Sequence, residues 1–368
     1  MKLSCLQNKF NYGLSVVGRA ASIRSTLPIT ANVLLSTDNS RLKLSATNLE
    51  MAISCWVGAK VEEQGEITVN SRLLTEFIGS LPNEQVDINL GARSKTIKLQ
   101  CARFEARISG MDAAEFPPLP TLEKGVETAV DTNAFCQAIN QVVFAAATDE
   151  SRPVLTGINA ELDGDELVLA AADGFRLAVY RMPLLQAVSD KIKIIIPART
   201  LAEVGRLAGD EDETITVRID TVKSQIMFRL KNIEIVSQLI QGNFPQYAQL
   251  IPAGFKTRAV VDTSAFQMAT KTAAIFARDG GGIVRLMITP GSDKTPGKLT
   301  VSARSEEIGE DTGEIDAAVE GQEEKIAFNG KYLADVLNVL GESQAALEVT
   351  NSTSPGVIRP VGRDNYTH

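Results

Sequence analysis

Two clusters of carboxylates are the residues of this chain whose types could do acid–base or metal chemistry. Asp149 and Glu150 are adjacent, and residues 210–213 form a run of four acidic side chains. Carboxylates can transfer a proton or bind a hard cation when other polar groups converge on them. Both clusters lie among turn-forming residues, and the sequence indicates no converging partner. We therefore interpret them as solvated loops.

The other common signatures of catalysis do not form a site in the sequence. The only histidine is His368, which argues against His-based triads and His-rich metal sites. The glycine cluster at 280–282 is not followed by the Lys-Ser/Thr pair of a phosphate-binding loop, so we interpret it as a flexible turn. The cysteines at 5, 55, 101 and 136 form no Cys-x-x-Cys pair, which predicts buried thiols in a reducing compartment. We expect no enzyme, no metal and no cofactor.

Composition limits the class of protein. A chain of 368 residues suits two or three domains, and no apolar run reaches the roughly 20 residues of a membrane span. The first residues lack the apolar segment of an export signal, so we expect a soluble, cytoplasmic protein. With 37 basic and 45 acidic residues the net charge is -8. A DNA partner would therefore require either a local basic surface or a topological grip.

Helices and strands must position any site. Apolar residues at helical spacing predict a helix over 6–22 and a second helix over 71–81, with strands between and after them. A proline-rich segment at 115–120 is typical of an extended linker. The middle and last thirds repeat this order, with first helices marked by Phe135 and Phe266 and second helices at 198–207 and 330–340.

The second helices show the repeat most clearly. Arg72, Arg199 and Lys331 occupy one position, and an acidic residue follows each of them four residues later. The spacing of about 130 residues is that of a domain repeat, larger than that of a solenoid unit. The sequence thus predicts an α+β protein of three domains, 1–123, 124–253 and 254–368, each with two helices packed on antiparallel sheets.

One stretch in the middle third carries a family resemblance. Its relevant residues are Arg152, Leu155, Gly157, Asp173, Gly174, Arg176 and Leu177. In this order, and together with the triplication over essentially the whole chain, they resemble the bacterial DNA polymerase sliding clamps, the beta subunits of DNA polymerase III. The resemblance implies a head-to-tail homodimer that closes six domains into a ring around duplex DNA, without sequence preference and without catalysis.

The resemblance also implies a pocket for short linear peptide motifs of DNA polymerase and clamp-loader subunits. Its residues in this chain would be Arg152, Leu155, Ala172, Gly174, Phe175, Arg176, Leu177, Pro245, Gln249, Leu250, Ser352 and Pro355. Leu155, Leu177 and Leu250 would form an apolar floor. Some clamps have His where this chain has Phe175, so the pocket should be more apolar here. Apart from the resemblance, these leucines would be interpreted as core residues.

DNA contacts follow from the resemblance for Arg24, Arg199 and Arg206, and Arg72, Lys271 and Lys331 are neighbouring candidates. Asp149 and Ala198 depart from the polar or basic residues often found at their positions, which weakens the expected contact. For the dimer, Arg103, Phe104 and Arg107 of the first domain would meet Ile275, Phe276, Glu306 and Glu307 of the third domain of the other subunit, with opposite charges setting the register.

Two expectations remain open at this level. Clamps continue past the equivalent of Tyr366 into a short apolar strand, so we expect the chain as given to bind peptides more weakly than a longer one. A non-catalytic scaffold of triplicated α+β domains that does not encircle DNA is the alternative function, and an enzyme is a distant third.

Overall fold

The structure is a computed structural model, and it describes residues 1–21, 27–91, 95–209, 213–278, 281–292 and 295–368. Its α-helices are α1 (Gln7–Val17), α2 (Ser71–Ser80), α3 (Thr132–Val142), α4 (Ala198–Leu207), α5 (Thr263–Ala277) and α6 (Gly330–Val339). Each helix directly follows a strand, and four of these junctions share a capping device. The side chains of Asn70, Asp131, Asp262 and Asn329 accept hydrogen bonds from amides in the first helical turn. Such caps fix the point where a strand turns into a helix.

The strands of the first half of the chain are β1 (Lys2–Leu6), β2 (Asn32–Asp38), β3 (Arg41–Thr47), β4 (Met51–Glu63), β5 (Glu66–Asn70), β6 (Gln85–Leu90), β7 (Thr96–Cys101), β8 (Phe104–Ser109), β9 (Val126–Asp131), β10 (Gly157–Asp163), β11 (Glu166–Ala172) and β12 (Leu177–Pro183). Those of the second half are β13 (Ile192–Pro197), β14 (Thr214–Asp220), β15 (Gln225–Arg229), β16 (Ile233–Gln238), β17 (Thr257–Asp262), β18 (Ile283–Thr289), β19 (Gly297–Ser305), β20 (Gly309–Gly321), β21 (Glu324–Asn329), β22 (Gln344–Val349), β23 (Val357–Pro360) and β24 (Tyr366–Thr367). All of their pairings are antiparallel.

The first compact unit comprises residues 1–136, 184–189 and 199–240. Its strands form one sheet whose main path runs β8-β7-β6-β1-β4-β16-β15-β14-β9, with β3, β2 and β5 branching from β4. β16, from the middle third of the chain, pairs with β4 from Ile233 opposite Cys55 to Ser237 opposite Met51. Helices α1 and α2 bury Phe10, Leu14 and Leu74.

The second unit comprises residues 137–183, 190–198 and 241–368. It holds a five-stranded sheet, β13-β10-β11-β12-β24, and a seven-stranded sheet, β21-β18-β19-β20-β17-β22-β23. β24, from the last third of the chain, pairs with β12. Helices α5 and α6 bury Phe266, Leu333 and Val336. The middle third is thus shared between the two units, because each of its sheets continues into a strand from a neighbouring third.

Several local predictions need correction. The first helix was expected over 6–22, but α1 ends at Val17, where the Gly18 amide donates to Leu14. β1 precedes α1 and was not predicted, although its burial alternates as expected for a strand with one buried face. Ala146, expected in the first helix of the middle third, lies beyond α3 and a short 3₁₀ turn. Cys136 is only partly buried, whereas the other three thiols are buried as predicted.

Candidate functional site

A cavity of about 630 Å³ opens in the second unit beside the loop that joins β11 to β12. Its walls come from that loop, the segment around Leu250, one face of α6 and the strands near the end of the chain. Most of the lining side chains are apolar. A volume of this size with a few polar groups is typical of sites that bind small molecules or short peptide anchors.

Hydrogen bonds around Asp173 fix the β11–β12 loop. Its Oδ1 accepts from the backbone amides of Phe175 (2.8 Å) and Arg176 (3.0 Å), and its own amide donates to the Arg176 carbonyl. Gly174, which lies between Asp173 and Phe175, has a backbone φ of +95°, a value that residues with a Cβ rarely adopt. This tight loop directs Phe175 into solvent, where 81% of its surface is exposed.

The opposite wall is also anchored. Phe244 is buried and meets Tyr247 edge to face, with ring centroids 6.2 Å apart, and the Leu250 amide donates to the Tyr247 carbonyl. Leu250 is 58% exposed as a result. Two large apolar side chains therefore stand at the cavity in contact with water, so a partner that covers them gains the free energy of their burial.

Two buried titratable groups of the last strand segment, His368 in the cavity lining and Tyr366 before it in sequence, have pKa values shifted toward their neutral forms. Burial, assisted by the nearby Arg176 charge, lowers the pKa of His368 to about 4. Burial also raises the pKa of Tyr366, whose phenol is fully enclosed. Both groups are uncharged at neutral pH, so the cationic groups of this region are the guanidiniums of Arg152 and Arg176.

The predicted pocket residues do not all line this cavity. Those that do are Ala172, Gly174, Phe175, Arg176, Leu177, Leu250 and Pro355. Arg152 stands beside it, with Nη1 2.8 Å from the place a Cβ on Gly174 would occupy. Leu155, Pro245 and Gln249 are outside its lining, so the apolar floor consists of Leu177 and Leu250 without Leu155. Ser352 lines a separate shallow cleft with Arg285 and Lys325.

Sequence reasoning missed the wall that α6 contributes. Tyr332, Leu333 and Val336 line the cavity, together with Phe328 and Ile358 from adjacent strands. The spacing of the three helix residues was visible, but an apolar stripe that faces a cavity has the same period as one that faces a core. Leu333 and Val336 are almost fully buried, as core residues are, and of the three only Tyr332 is partly exposed.

The DNA-contact candidates have different environments. Arg24 lies outside the described residues. Arg72 pairs with Glu76 at 2.8 Å, and Arg206 lies 3.5 Å from Glu203. Arg199, Lys271 and Lys331 are exposed and make no ion pair within the described part of the chain, which leaves their charges available for phosphate.

The dimer candidates lie on exposed edges. Phe104 (55% exposed) and Arg107 belong to β8, an edge strand of its sheet, and Arg103 directly precedes it. Ile275 is 55% exposed and Phe276 is half-buried near the end of α5, whereas Glu306 and Glu307 lie in the exposed turn between β19 and β20. Arg107 has Glu105 of its own strand 3.7 Å away.

Among the described residues, the acidic clusters do not form a metal-binding site, because no three His, Cys, Asp or Glu side chains converge. Asp149 accepts hydrogen bonds from the Ser151 amide and hydroxyl, as in a capped surface turn. Residues 210–212 of the second cluster and Gly280 of the glycine cluster lie outside the described residues. Among the described helices, none is long and apolar enough to cross a membrane.

Comparisons with known proteins cover the whole chain. Residues 1–120, 129–246 and 248–368 match the N-terminal, central and C-terminal domains of the DNA polymerase III beta subunit family. The beta sliding clamp of Synechococcus elongatus is 30% identical over 373 residues, covering 100% of this chain and 98% of the relative. The crystal structure of the Bacillus subtilis DNA polymerase sliding clamp superposes with a TM-score of 0.93 at 28% identity, covering 100% of this chain and 97% of that one. The DNA polymerase III beta subunit of Pseudomonas aeruginosa gives 0.92 at 26% identity, with 100% and 98% covered.

Proposed function

This chain belongs to the DNA polymerase III beta subunit family, the beta sliding clamps, and we propose that partner proteins dock short peptides in the cavity beside Phe175. As a clamp it is a non-catalytic processivity factor that tethers the replicative polymerase to DNA. The finer assignments, which include clamp-loader subunits among the peptide partners and a cytoplasmic location, are part of the same proposal.

The observation that carries the docking site is the pair of exposed apolar side chains at the mouth of a largely apolar cavity. Phe175 and Leu250 lie on two anchored segments, and Leu177 forms the floor between them. A short extended peptide with Leu and Phe anchors would bury all three without rearranging the backbone. Such anchors dominate the affinity of linear motifs because few residues carry most of the binding energy.

A fluorescein-labelled peptide with Leu and Phe anchors tests the site by fluorescence anisotropy. We expect Leu250→Ala to weaken binding about tenfold, the usual effect of truncating an apolar hot spot. Leu185→Ala is the matched control, because Leu185 is 54% exposed but belongs to the other unit and does not line the cavity. Equal affinities of the two variants would exclude this cavity as the peptide site.

We also propose the intersubunit contact by extending a design that the chain uses twice internally. In the first unit β16 pairs with β4, and Arg19, in the turn directly after α1, approaches Glu203 of α4. In the second unit β24 pairs with β12, and Gln141 of α3 donates to carbonyls at the end of α6. Each junction thus joins a strand and a helix from one third to a strand and a helix from the next.

Within the described residues, the strands that could form a third junction of this kind have unpaired edges. β8 has a free edge, and β20 is paired only with β19 from Gly309 to Asp316. A groove of about 500 Å³ lies between α5 and this part of β20, with Met268 and Ile315 in its lining and Asp311, Glu314 and Asp316 at its rim. Arg103 and Arg107 beside β8 have the complementary charge, so β8 of a second copy fits the groove and closes a head-to-tail dimer.

A further inference from the structure

Arg176 lines the peptide cavity, yet its guanidinium is already engaged on its edges. Nε donates to Asp173 Oδ2 at 3.0 Å, and Nη1 donates to Asp335 Oδ2 of α6 at 2.7 Å. The arginine side chain is only 11% exposed. A charged group this far from water needs such partners, because an unpaired buried charge is costly.

Aromatic rings cover the faces of the same guanidinium. Its central carbon lies 4.3 Å from the ring centroid of Tyr332 and 5.3 Å from that of Phe144. Phe144 in turn stacks on the imidazole of His368, with centroids 5.4 Å apart. The planar groups of Tyr332, Arg176, Phe144 and His368, which come from four segments, therefore form one stack. Arg176 is the member that belongs to the β11–β12 loop.

These contacts engage Nε and Nη1 of Arg176, so a peptide carboxylate that took over either interaction would have to displace Asp173 or Asp335. Arg152 is different, because it is exposed and makes no ion pair with another described residue. The geometry assigns Arg152 to charge recognition at the rim and Arg176 to holding the loop.

We propose that Asp335 is a positioning residue of the peptide site: through Arg176 it ties the loop that presents Phe175 and Leu177 to helix α6. The inference rests on the proposed docking function of the cavity. Asp335 holds one end of the guanidinium and Asp173 the other, so the loop and the α6 wall keep a fixed separation. Without Asp335 the loop is still closed by Asp173, but its tie to α6 is reduced to the contact between Arg176 and the Tyr332 ring, and the peptide must order it on binding.

The domain repeat provides a matched control. Glu203 occupies the position in α4 that Asp335 occupies in α6, and it too binds an arginine from another segment, Arg19 at 3.5 Å. Glu203 lies in the first unit, whereas the cavity lies in the second. Glu203→Gln therefore removes an equivalent charge whose described ion-pair partners, Arg19 and Arg206, are not residues of the β11–β12 loop.

The experiment measures the labelled peptide on the full chain. We expect Asp335→Asn to weaken binding about tenfold, a loss typical of one charge-assisted hydrogen bond, and Glu203→Gln to leave it unchanged. Arg176→Lys should weaken binding in the wild-type background but add little to Asp335→Asn, because the two residues act as one unit. A direct peptide contact by Arg176 would instead make the two losses additive.

Three results would overturn the assignment: wild-type affinity in Asp335→Asn, an equal loss in Glu203→Gln, or additive losses with Arg176→Lys. If Asp335→Asn does not fold by circular dichroism, Asp335→Glu replaces it. The added methylene displaces the carboxylate, so we expect about threefold weaker binding, and unchanged binding would count against the proposal. Failure of the docking function itself would be recognised separately, as an absence of peptide binding to the wild-type chain or its insensitivity to Leu250→Ala.

Discussion

Individual side chains of the same type have opposite roles in this molecule, and exposure separates them. Leu74, Leu201 and Leu333 occupy equivalent places in the second helices and are almost fully buried. Leu250, by contrast, is held in water by the turn that follows Tyr247. Burying the first three stabilises the fold, whereas leaving Leu250 exposed keeps apolar surface available for a partner.

The four cysteine thiols also differ in exposure, and this difference predicts their reactivity. Burial raises the pKa of Cys5 to about 12 and that of Cys55 to about 11, so neither forms a thiolate readily. Cys101 is also buried, whereas Cys136 is partly exposed. At mildly alkaline pH we expect Ellman's reagent to modify Cys136 quickly and the other three thiols only on unfolding.

Cys136→Ser should therefore remove the fast phase, and guanidinium chloride should release all of the remaining thiols. A fast phase that persists in this variant would show that a strand bearing Cys5, Cys55 or Cys101 opens in the native protein. The readout needs no ligand or DNA, so it tests the fold independently of the proposed function.

At the level of elements, the second helices repeat in sequence and structure, but the acidic residue at the repeated position has a different ion-pair partner in each helix. Glu76 pairs with Arg72 of its own helix, as the i,i+4 spacing predicts. Glu203 instead binds Arg19 and Arg206, and Asp335 binds Arg176 of the β11–β12 loop. The apolar period could be read from the sequence because it is local. The ion pairs of Glu203 with Arg19 and of Asp335 with Arg176 could not, because they depend on which third of the chain packs against which helix.

The cavity has the same mixture of predictable and unpredictable parts. Asp173, Gly174 and Phe175 form a local turn, and the family resemblance identified that turn. The α6 wall was missed because Tyr332 and Val336 have the spacing of ordinary core residues. The resemblance also placed Leu155 and Ser352 at the peptide pocket, whereas neither lines this cavity, since a resemblance transfers positions and not side-chain contacts.

Helix α2 allows a test of what stabilises these elements. Leu74 is fully buried, so Leu74→Ala should lower the free energy of unfolding by about 2–5 kcal/mol through lost burial and a residual cavity. Arg72→Ala removes an exposed ion pair in the same helix and should leave the urea midpoint unchanged. Trp56, the only tryptophan, lies in β4 of the same unit, and its fluorescence reports the transition. A larger shift for Arg72→Ala than for Leu74→Ala would contradict this ranking.

At the level of the whole molecule, the net charge of -8 must coexist with a DNA partner. Encirclement of the duplex allows an acidic protein to stay on DNA, because an encircling protein needs only a few weak phosphate contacts. We propose that the exposed cations of Arg199, Lys271 and Lys331 make such contacts, and their contribution should weaken steeply with salt. Closure of the assembly therefore matters more for retention than the affinity of any one contact.

The closing contact should depend on its apolar centre. Ion pairs at the rim of an interface contribute little, whereas apolar anchors decide stability. We expect Ile275→Ala combined with Phe276→Ala to give a folded monomer near 39.5 kDa by light scattering, while the wild-type chain is a dimer at micromolar concentration. Glu306→Ala should mainly change the salt dependence of dimerisation. Leu250→Ala is the control, because it truncates an exposed apolar side chain at the peptide cavity and should remain dimeric. A dimeric double variant, or a monomeric wild type, would exclude this interface.

Encirclement makes a prediction that affinity alone cannot reproduce. The protein is threaded onto linear duplex, the ends are ligated into a circle, and the complex is passed over a sizing column at a salt concentration that removes phosphate contacts. We expect the wild type to stay with the circle and to leave it when a restriction enzyme cuts the DNA once. The Ile275→Ala, Phe276→Ala variant should not be retained on the circle, because it cannot close, although it keeps every exposed cation. Leu250→Ala should behave as the wild type does. Retention that survives cutting, or that the double variant shares, would mean that the protein is held on DNA by contacts and does not encircle it.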